Sequence, residues 1–295
     1  MDKFIPEIWA GETQKLLQES LKLEKPIYST VIDYSNITRN AQAGGYNGPV
    51  LTGNVAIPLP ISDDDFKVLT QGNFNMPFDQ NIGVPVLIKD IEAAQSIIAM
   101  RETYTSGAKI ALEDGYNSYL IKQMVDGTAS GNRQMLADSV NNVLTKADFV
   151  NAHKFLNKAK APRRNRYCVL GADLEAQIYD IAGFISRDKI ANTNALSDAT
   201  IGKLMGFEVM LAPDMPVVDS DGYVDATAEI NVALFYHRTC AGFGRNKELG
   251  SREESKAGLP GVMINTFSAF GAKVHPSTLG TRIVSIREHA ESPAS

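Results

Sequence analysis

Val84–Met124, VPVLIKDIEAAQSIIAMRETYTSGAKIALEDGYNSYLIKQM, is the stretch whose reading decides the fold. It opens with the apolar run Val84–Ile88, which has the composition of a strand. Asp90 then has the chemistry of a helix N-cap, because its short carboxylate can accept from the free N–H groups of a first turn. Beyond it Ile91, Ala94, Ile98, Thr105, Ala108, Leu112 and Tyr119 trace one stripe at helical spacing. The spacing predicts a single helix from Asp90 to Met124, a rod of about 50 Å at 1.5 Å per residue. Gly107 and Gly115 weaken it slightly and allow a bend or a close contact.

Upstream of this rod the chain reads as two attachments. Phe4-Ile5-Pro6-Glu7-Ile8-Trp9 opens a short amphipathic helix with Ile8, Leu16, Leu17 and Leu21 on one side, stopped by Pro26. An apolar arm of this kind must dock, on its own body or on another subunit. Gly44–Pro49 reads as a flexible entry to an extended excursion. Val55, Ile57, Leu59 and Ile61 alternate strictly while Pro58 and Pro60 fall out of phase, so this strand has one side to bury and an edge that cannot pair further. Asp63-Asp64-Asp65 reads as a solvated turn, Phe66–Thr70 as the returning strand, and the Gly/Asn/Pro-rich passage after it as a link to Val84. A projecting two-stranded ribbon results, marginal alone and in want of a partner surface.

Downstream, helices and strands alternate. Leu136–Leu144 and Lys146–Lys158 are expected helices, the second capped by Thr145, and Ala172–Ile181 a third. Tyr167–Leu170, Gly206–Ala212 and Ile230–Tyr236 are expected strands, with a turn at Asp221-Gly222 and a mixed-charge loop over Arg245–Lys256. Strand structure resumes at Val262–Phe267, Gly271–His275 and Thr281–Ile286.

The composition is globular: 295 residues, 44% hydrophobic and 21% charged, which excludes disordered and collagen-like chains. A formal charge of −5 argues against a dedicated nucleic-acid binder, but not against a protein that encloses nucleic acid without gripping it. Cys168 and Cys240 are too few and too far apart for a disulfide scaffold, and the N-terminus lacks the basic and apolar regions of a signal peptide. A reducing cytosol is the expected place of synthesis.

Catalytic patterns are missing. Gly202-Lys203-Leu204 is no phosphate loop, Gly242-Phe243-Gly244 follows no βα signature, and GxSxG and HExxH do not occur. Asp219, Asp221 and Asp225 flank a glycine, yet the closing Glu of a calcium loop is absent and a hairpin turn is the preferred reading. His153, His237, His275 and His289 never approach metal-ligand spacing. Cys168 reads as inert core, and Cys240, beside Arg238, as a buried thiol. Arg163, Arg164 and Arg166 form the one basic cluster in sequence. It suits either a phosphate contact or an inter-subunit ion pair, and the acidic chain without interleaved aromatics favours the ion pair. No catalytic residue, metal or cofactor is expected.

The order of elements carries more than any motif. A FIPEIW arm (4–9) precedes a ribbon with NVAIPLP (54–60) and the strand-to-helix passage VPVLIKDIEAAQS (84–96). LTKADFVNAHKFLNKAKAPRRNRYCVLGADLEAQI (144–178), IGKLMGFEVMLAPDMP (201–216), INVALFYHRTCAGFG (230–244) and FSAFGAKVHPSTLG (267–280) follow. Together they resemble the tailed-phage major capsid proteins of the Hong Kong 97-like fold, over nearly the whole chain. The resemblance implies an α+β fold with an N-terminal arm (1–35) and an extended E-loop (40–86) lying over a neighbouring subunit. It implies a peripheral (P) domain (87–139 and 259–290) built on a spine helix (90–124), and an α/β axial (A) domain (140–258). Trp9, Leu17, Ile57, Leu59, Ile61, Arg163, Arg164 and Arg166 are then candidates for contact between subunits. The implied partners are copies of the chain in hexamers and pentamers, a separate scaffolding protein, a portal, decoration or cement proteins, and packaged double-stranded DNA without sequence-specific contact. The implied place is the virion capsid, assembled in the bacterial cytoplasm. A second reading within the same fold is an encapsulin-type nanocompartment that houses cargo enzymes, and a remote third is an α/β enzyme with dispersed site residues.

Overall fold

The computed structural model describes residues 26–35, 45–52, 70–181, 185–186, 200–255, 261–276 and 281–289. Strands β1 (Ile32–Asp33), β2 (Gly45–Thr52), β3 (Thr70–Pro77) and β4 (Gln80–Lys89) precede helix α1 (Asp90–Asp126). β5 (Arg133–Met135), α2 (Lys146–Lys158), β6 (Arg166–Leu170), α3 (Ala172–Ile178), β7 (Ile185–Ser186), β8 (Thr200–Leu204) and β9 (Phe207–Leu211) come next. β10 (Val232–His237), β11 (Ala241–Ser255), β12 (Gly261–Val274) and β13 (Ile283–Arg287) complete the chain. The strands form a two-stranded ribbon β2-β3, a four-stranded sheet ordered β1-β11-β12-β4, and a seven-stranded sheet ordered β5-β13-β10-β6-β9-β8-β7.

The predicted rod is present, with 37 residues in one helix. Its buried positions Ala108, Leu112, Tyr116, Leu120 and Met124 recur every fourth residue, and Asn117, Ile121 and Val125 lie beside them. The row departs from the expected stripe at Tyr119, which is only half-buried, because α1 turns its Tyr116 edge into the core.

The strands β6 and β10, central in the seven-stranded sheet, are buried at every position. Tyr167, Val169, Leu234 and Tyr236 face α1, while Cys168, Leu170, Ala233 and Phe235 face α2 and α3. Two cores result, one on each side of the same sheet. In the second, Phe235 packs edge-on against Phe149 and Phe207, with ring centroids 5.0 and 5.3 Å apart.

Four expectations fail, each for a physical reason. Leu136–Leu144 is not a helix: β5 pairs in parallel with β13, Leu136 N–H donates to Arg287 O, and the chain then turns. The Asp138 carboxylate accepts from Val140 N–H and Asn141 N–H, and Asn142 is left-handed with φ 54°. Such local side-chain bonds outcompete a helix. The Gly/Asn/Pro-rich passage is strand, and so is the flexible entry from Gly45, because pairing supplies what propensity lacks. Pro85 is tolerated because β4 is an edge strand of the four-stranded sheet. The mixed-charge loop is strand β11, paired with β12 except for irregularities between Arg245 and Gly250. Sheet membership does not follow the order of the strands in the chain. β11 lies in one sheet with β12 and β4, while β5 and β13 lie in the sheet of β6 and β10.

Other elements among the described residues lie near their expected places, with Val262–Phe267 and Gly271–His275 joined in the single strand β12. Helix α2 begins after Thr145, whose N–H and Oγ1 both donate to Asp148 Oδ2 at 2.8 Å. Gly222 takes the left-handed φ of 82° that the Asp-Gly turn needs.

Truncating Phe235 to Ala should remove the centre of the second core and lower unfolding free energy by about 3–5 kcal/mol. Urea denaturation of the unassembled subunit measures this. A loss under about 1 kcal/mol would show that the core around α2 does not hold the sheet.

Candidate inter-subunit surfaces

The root of the β2-β3 ribbon is built on glycines. Gly244 of β11 lies opposite Gly271 of β12, with Gly242 two residues away. A Cβ on Gly271 would collide with the Pro77 carbonyl, and one on Gly244 would stand 2.8 Å from the Phe78 ring. The ribbon therefore lies directly on sheet backbone. Phe74, Met76 and Phe78 alternate inward and pack with Tyr34, while Asn75 and Pro77 face out. Lys273 Nζ donates to Asn75 O at 3.0 Å. Phe74 stacks on His275 with centroids 4.5 Å apart, and the Tyr34 hydroxyl shares a 2.8 Å hydrogen bond with His275 Nε2. His275 Nδ1 is buried without a partner, and burial holds the imidazole below its ordinary pKa, hence neutral.

Part of the expected arm docks on its own body. Ile27 and Val31 enter the first core, Tyr28 N–H donates to Asn117 Oδ1, and β1 pairs in parallel with β11. Trp9 and Leu17 lie outside the described residues, as do Ile57, Leu59 and Ile61 of the ribbon.

The arginine cluster divides. Arg163 and Arg164 are exposed, whereas Arg166 is only 1% exposed. Its guanidinium donates to Pro162 O, Ala161 O and Asn157 Oδ1 at 2.8–2.9 Å and meets His153 Nδ1 at 3.0 Å. Arg166 is thus a strut within the subunit. The fold adds cations that sequence reading missed. Arg238 N–H donates to Asn165 O at 3.1 Å, and Arg282 Nε and a terminal nitrogen lie 3.4 Å from Ala159 O and Lys160 O. These residues are distant in sequence, so no linear pattern signals the gathering.

Nothing in the described residues resembles a reaction centre. Among them, no group of three or more His, Cys, Asp or Glu could hold a metal ion, and none of the helices is long and apolar enough to cross a membrane. Cys168 and Cys240 are fully buried, and burial pushes both thiols far above the ordinary range. A cleft of about 260 Å³ lies between α1 and the chain after β9, lined by Ile27, Asp114, Asn117, Ile121 and Asp214. Burial, and then the nearby Asp214, raise the Asp114 pKa. Asn117, one helical turn from Asp114, serves the docking of residues 26–30, since its Oδ1 holds Tyr28 N–H.

Burial, reinforced by Arg166 and Arg163 at His153 and by Arg282 and Arg166 at His237, holds these two imidazoles below their ordinary pKa, as burial holds His275. Unfolding restores the ordinary value near 6.5, so below about pH 6.5 the unfolded chain binds more protons than the folded one. Stability should be flat above that pH, fall on acidification, and level off once the folded histidines are also protonated. The melting temperature at pH 7 and pH 5 checks this. His275→Gln should lower both values yet shrink the difference between them. An unchanged difference would take His275 out of the acid response.

Comparison with known proteins agrees with this architecture. A model of the family described as phage capsid protein matches residues 87–274, more than half of the chain. The fold is similar to a chain from Mycobacterium phage Che8, with TM-score 0.62 and 16% identity, covering 89% of this chain and 91% of that one. It is also similar to a chain from the capsid of the Cyanophage P-SCSP1u, with TM-score 0.65 and 14% identity, covering 91% and 89%. A virus-like particle from Pyrococcus furiosus matches at TM-score 0.52 and 10% identity, covering 93% and 96%. At these identities the likeness is one of fold. No curated protein matches the chain in sequence. The family match runs from the end of β4 through α1 and six strands of the seven-stranded sheet to the end of β12, and the chain belongs to the phage capsid protein family.

Proposed function

We propose that this phage capsid protein is the major subunit of an icosahedral shell, self-assembling in the host cytoplasm around the double-stranded DNA of a tailed phage. The observation that carries the reading is the family match over residues 87–274, which covers most of both cores rather than one grafted motif. Assembly then needs neither a cofactor nor catalysis. Repeated burial of modest apolar patches, at about 25 cal/mol per Å², stabilises a lattice in which every subunit meets several neighbours. No covalent cross-link is part of the reading.

In this reading α1 is the spine of the peripheral domain, together with the four-stranded sheet, and the seven-stranded sheet with α2 and α3 forms the axial domain. Assignment by sheet moves β11 to the peripheral domain and β5 and β13 to the axial one. The ribbon, continued through residues 53–69, is the E-loop that crosses a neighbour, and residues 1–25 belong to the arm. A scaffolding protein, a portal and decoration proteins are the partners that the reading implies. The encapsulin-type alternative rests on the virus-like-particle match, whose TM-score of 0.52 lies below the 0.62 and 0.65 of the phage chains.

Electron microscopy of the purified protein tests the class, with uniform closed shells expected and a stable monomer overturning it. Nuclease-protected double-stranded DNA in particles from infected cells separates a genome shell from a cargo compartment. The E-loop has its own test. Ile57→Ser with Leu59→Ser should leave a folded, soluble subunit whose yield of closed particles falls at least about tenfold. Normal assembly of that variant would remove the ribbon from the interface. Trp9→Ala with Leu17→Ala should likewise impair assembly more than melting temperature, and equal loss of both would place the arm in the subunit core.

A further inference from the structure

Six cations gather at one end of the seven-stranded sheet in a chain whose overall charge is −5. Lys158, Lys160, Arg163, Arg164 and Arg238 are exposed and Arg282 is half-buried. None of the six is ion-paired among the described residues. The surface is braced rather than loose. Arg166 grips the Ala161 and Pro162 carbonyls from below, Arg282 reaches the Ala159 and Lys160 carbonyls, and Arg238 N–H holds Asn165. Lys160 and Asn165, at either end of the segment, are both left-handed, with φ of 52° and 57°. Left-handed non-glycine residues cost free energy and persist only where surrounding contacts fix them. The field here is positive enough that the neighbouring His153 and His237 feel cations as their charged neighbours.

We propose that these cations form a carboxylate-binding surface, and that the acid run Asp63–Asp65 of a second copy of this chain occupies it. Asp63-Asp64-Asp65 is the one place in the sequence with three consecutive acids. Arginine forks match carboxylates in bidentate geometry, and several charges together give what an isolated exposed pair does not. The run is tethered to the ribbon, 18 residues from Gly45, where the ribbon meets the body. The returning leg from Asp65 to Pro77, paired with Gly45 at the root, is only 12 residues, and at about 3.3 Å per extended residue it limits the reach to roughly 40 Å. A subunit of this length has a radius of gyration of about 19 Å, so the run can reach an adjacent copy. This rests on the shell reading, since only an assembly of copies brings the two surfaces together. Packaged DNA is the competing occupant, since phosphate suits the same cations.

Charge reversal tests it. Arg163→Glu with Arg164→Glu, and separately Asp63→Lys with Asp64→Lys and Asp65→Lys, should each leave melting temperature near that of the parent and reduce sedimenting shells at least tenfold. Combining all five substitutions should restore most of the yield. Parent assembly should weaken between about 0.05 and 0.5 M salt, as screening shortens the reach of the charges. Should the arginine reversal disturb folding, Arg163→Gln with Arg164→Gln should give the same direction with a smaller loss. The proposal falls if the arginine variants assemble normally, or if the combined variant stays unassembled while each parent variant is folded. Normal shells that retain less nuclease-protected DNA would overturn it in favour of phosphate. A parent protein that forms no shells at all would instead sink the shell reading beneath it.

Discussion

Everything in this subunit depends on one helix packing against two sheets at once. Leu112, Tyr116, Leu120 and Met124 of α1 share a core with Val169, Leu234 and Tyr236 of the seven-stranded sheet and with Phe243 and Phe270 of the four-stranded one. Tyr116 is the pivot: its ring meets Phe270 at 4.7 Å, Phe243 at 5.7 Å and Tyr28 at 5.8 Å. Aromatic pairs at these separations contribute beyond their area, and here they join three separate elements. A two-sheet subunit without this helix would have two bodies and a hinge. With it, a load on the four-stranded sheet is transmitted to the other through close-packed side chains.

The rod's far end is secured by polar groups. Arg133 donates to the Thr128 and Asp126 carbonyls just past the last turn of α1, and stacks over Tyr223 at 3.5 Å. Asp126 Oδ1 in turn accepts from Val224 N–H. One arginine therefore satisfies helix-end carbonyls that would otherwise be orphaned, and it fixes the turn at Asp219–Tyr223 against them. The buried Arg166 follows the same logic. A charge taken out of water is costly unless its donors find partners, and this one has four, three of them oxygens.

The sequence made the long-range skeleton legible where a period ran long enough to count. α1, α2 and the central strands carry their own patterns, because burial on one or both faces leaves a regular trace. Leu136–Leu144 misled because its apolar residues bury Leu136 and Leu144 from a turn, with helix-like spacing arising by accident. Residues 70–83 misled in the other direction, since glycine, asparagine and proline hide the alternation of Phe74, Met76 and Phe78. Of the surface cluster, Arg163 and Arg164 were readable, while the inward turn of Arg166 was not. Whether a strand's first residue points at solvent or at a helix end depends on α2, which no local pattern reports.

The glycines at the ribbon root show what the fold gives up for a projecting element. Gly242 and Gly244 sit in β11 and Gly271 in β12, where glycine weakens a strand by roughly 0.5–1 kcal/mol relative to alanine. Side chains there would occupy the space of Tyr34, Phe78 and the Pro77 carbonyl. A bare patch lets the ribbon and the Tyr34 segment lie on the sheet as a second layer, so the root of the ribbon is rigid. A lever is useful only if its base does not yield. Phe74, Met76 and Phe78 hold that root on the subunit's own body. In a lattice the same rigid root fixes the direction in which the ribbon leaves the subunit. The surface it can reach is then set by the fold and not by a search.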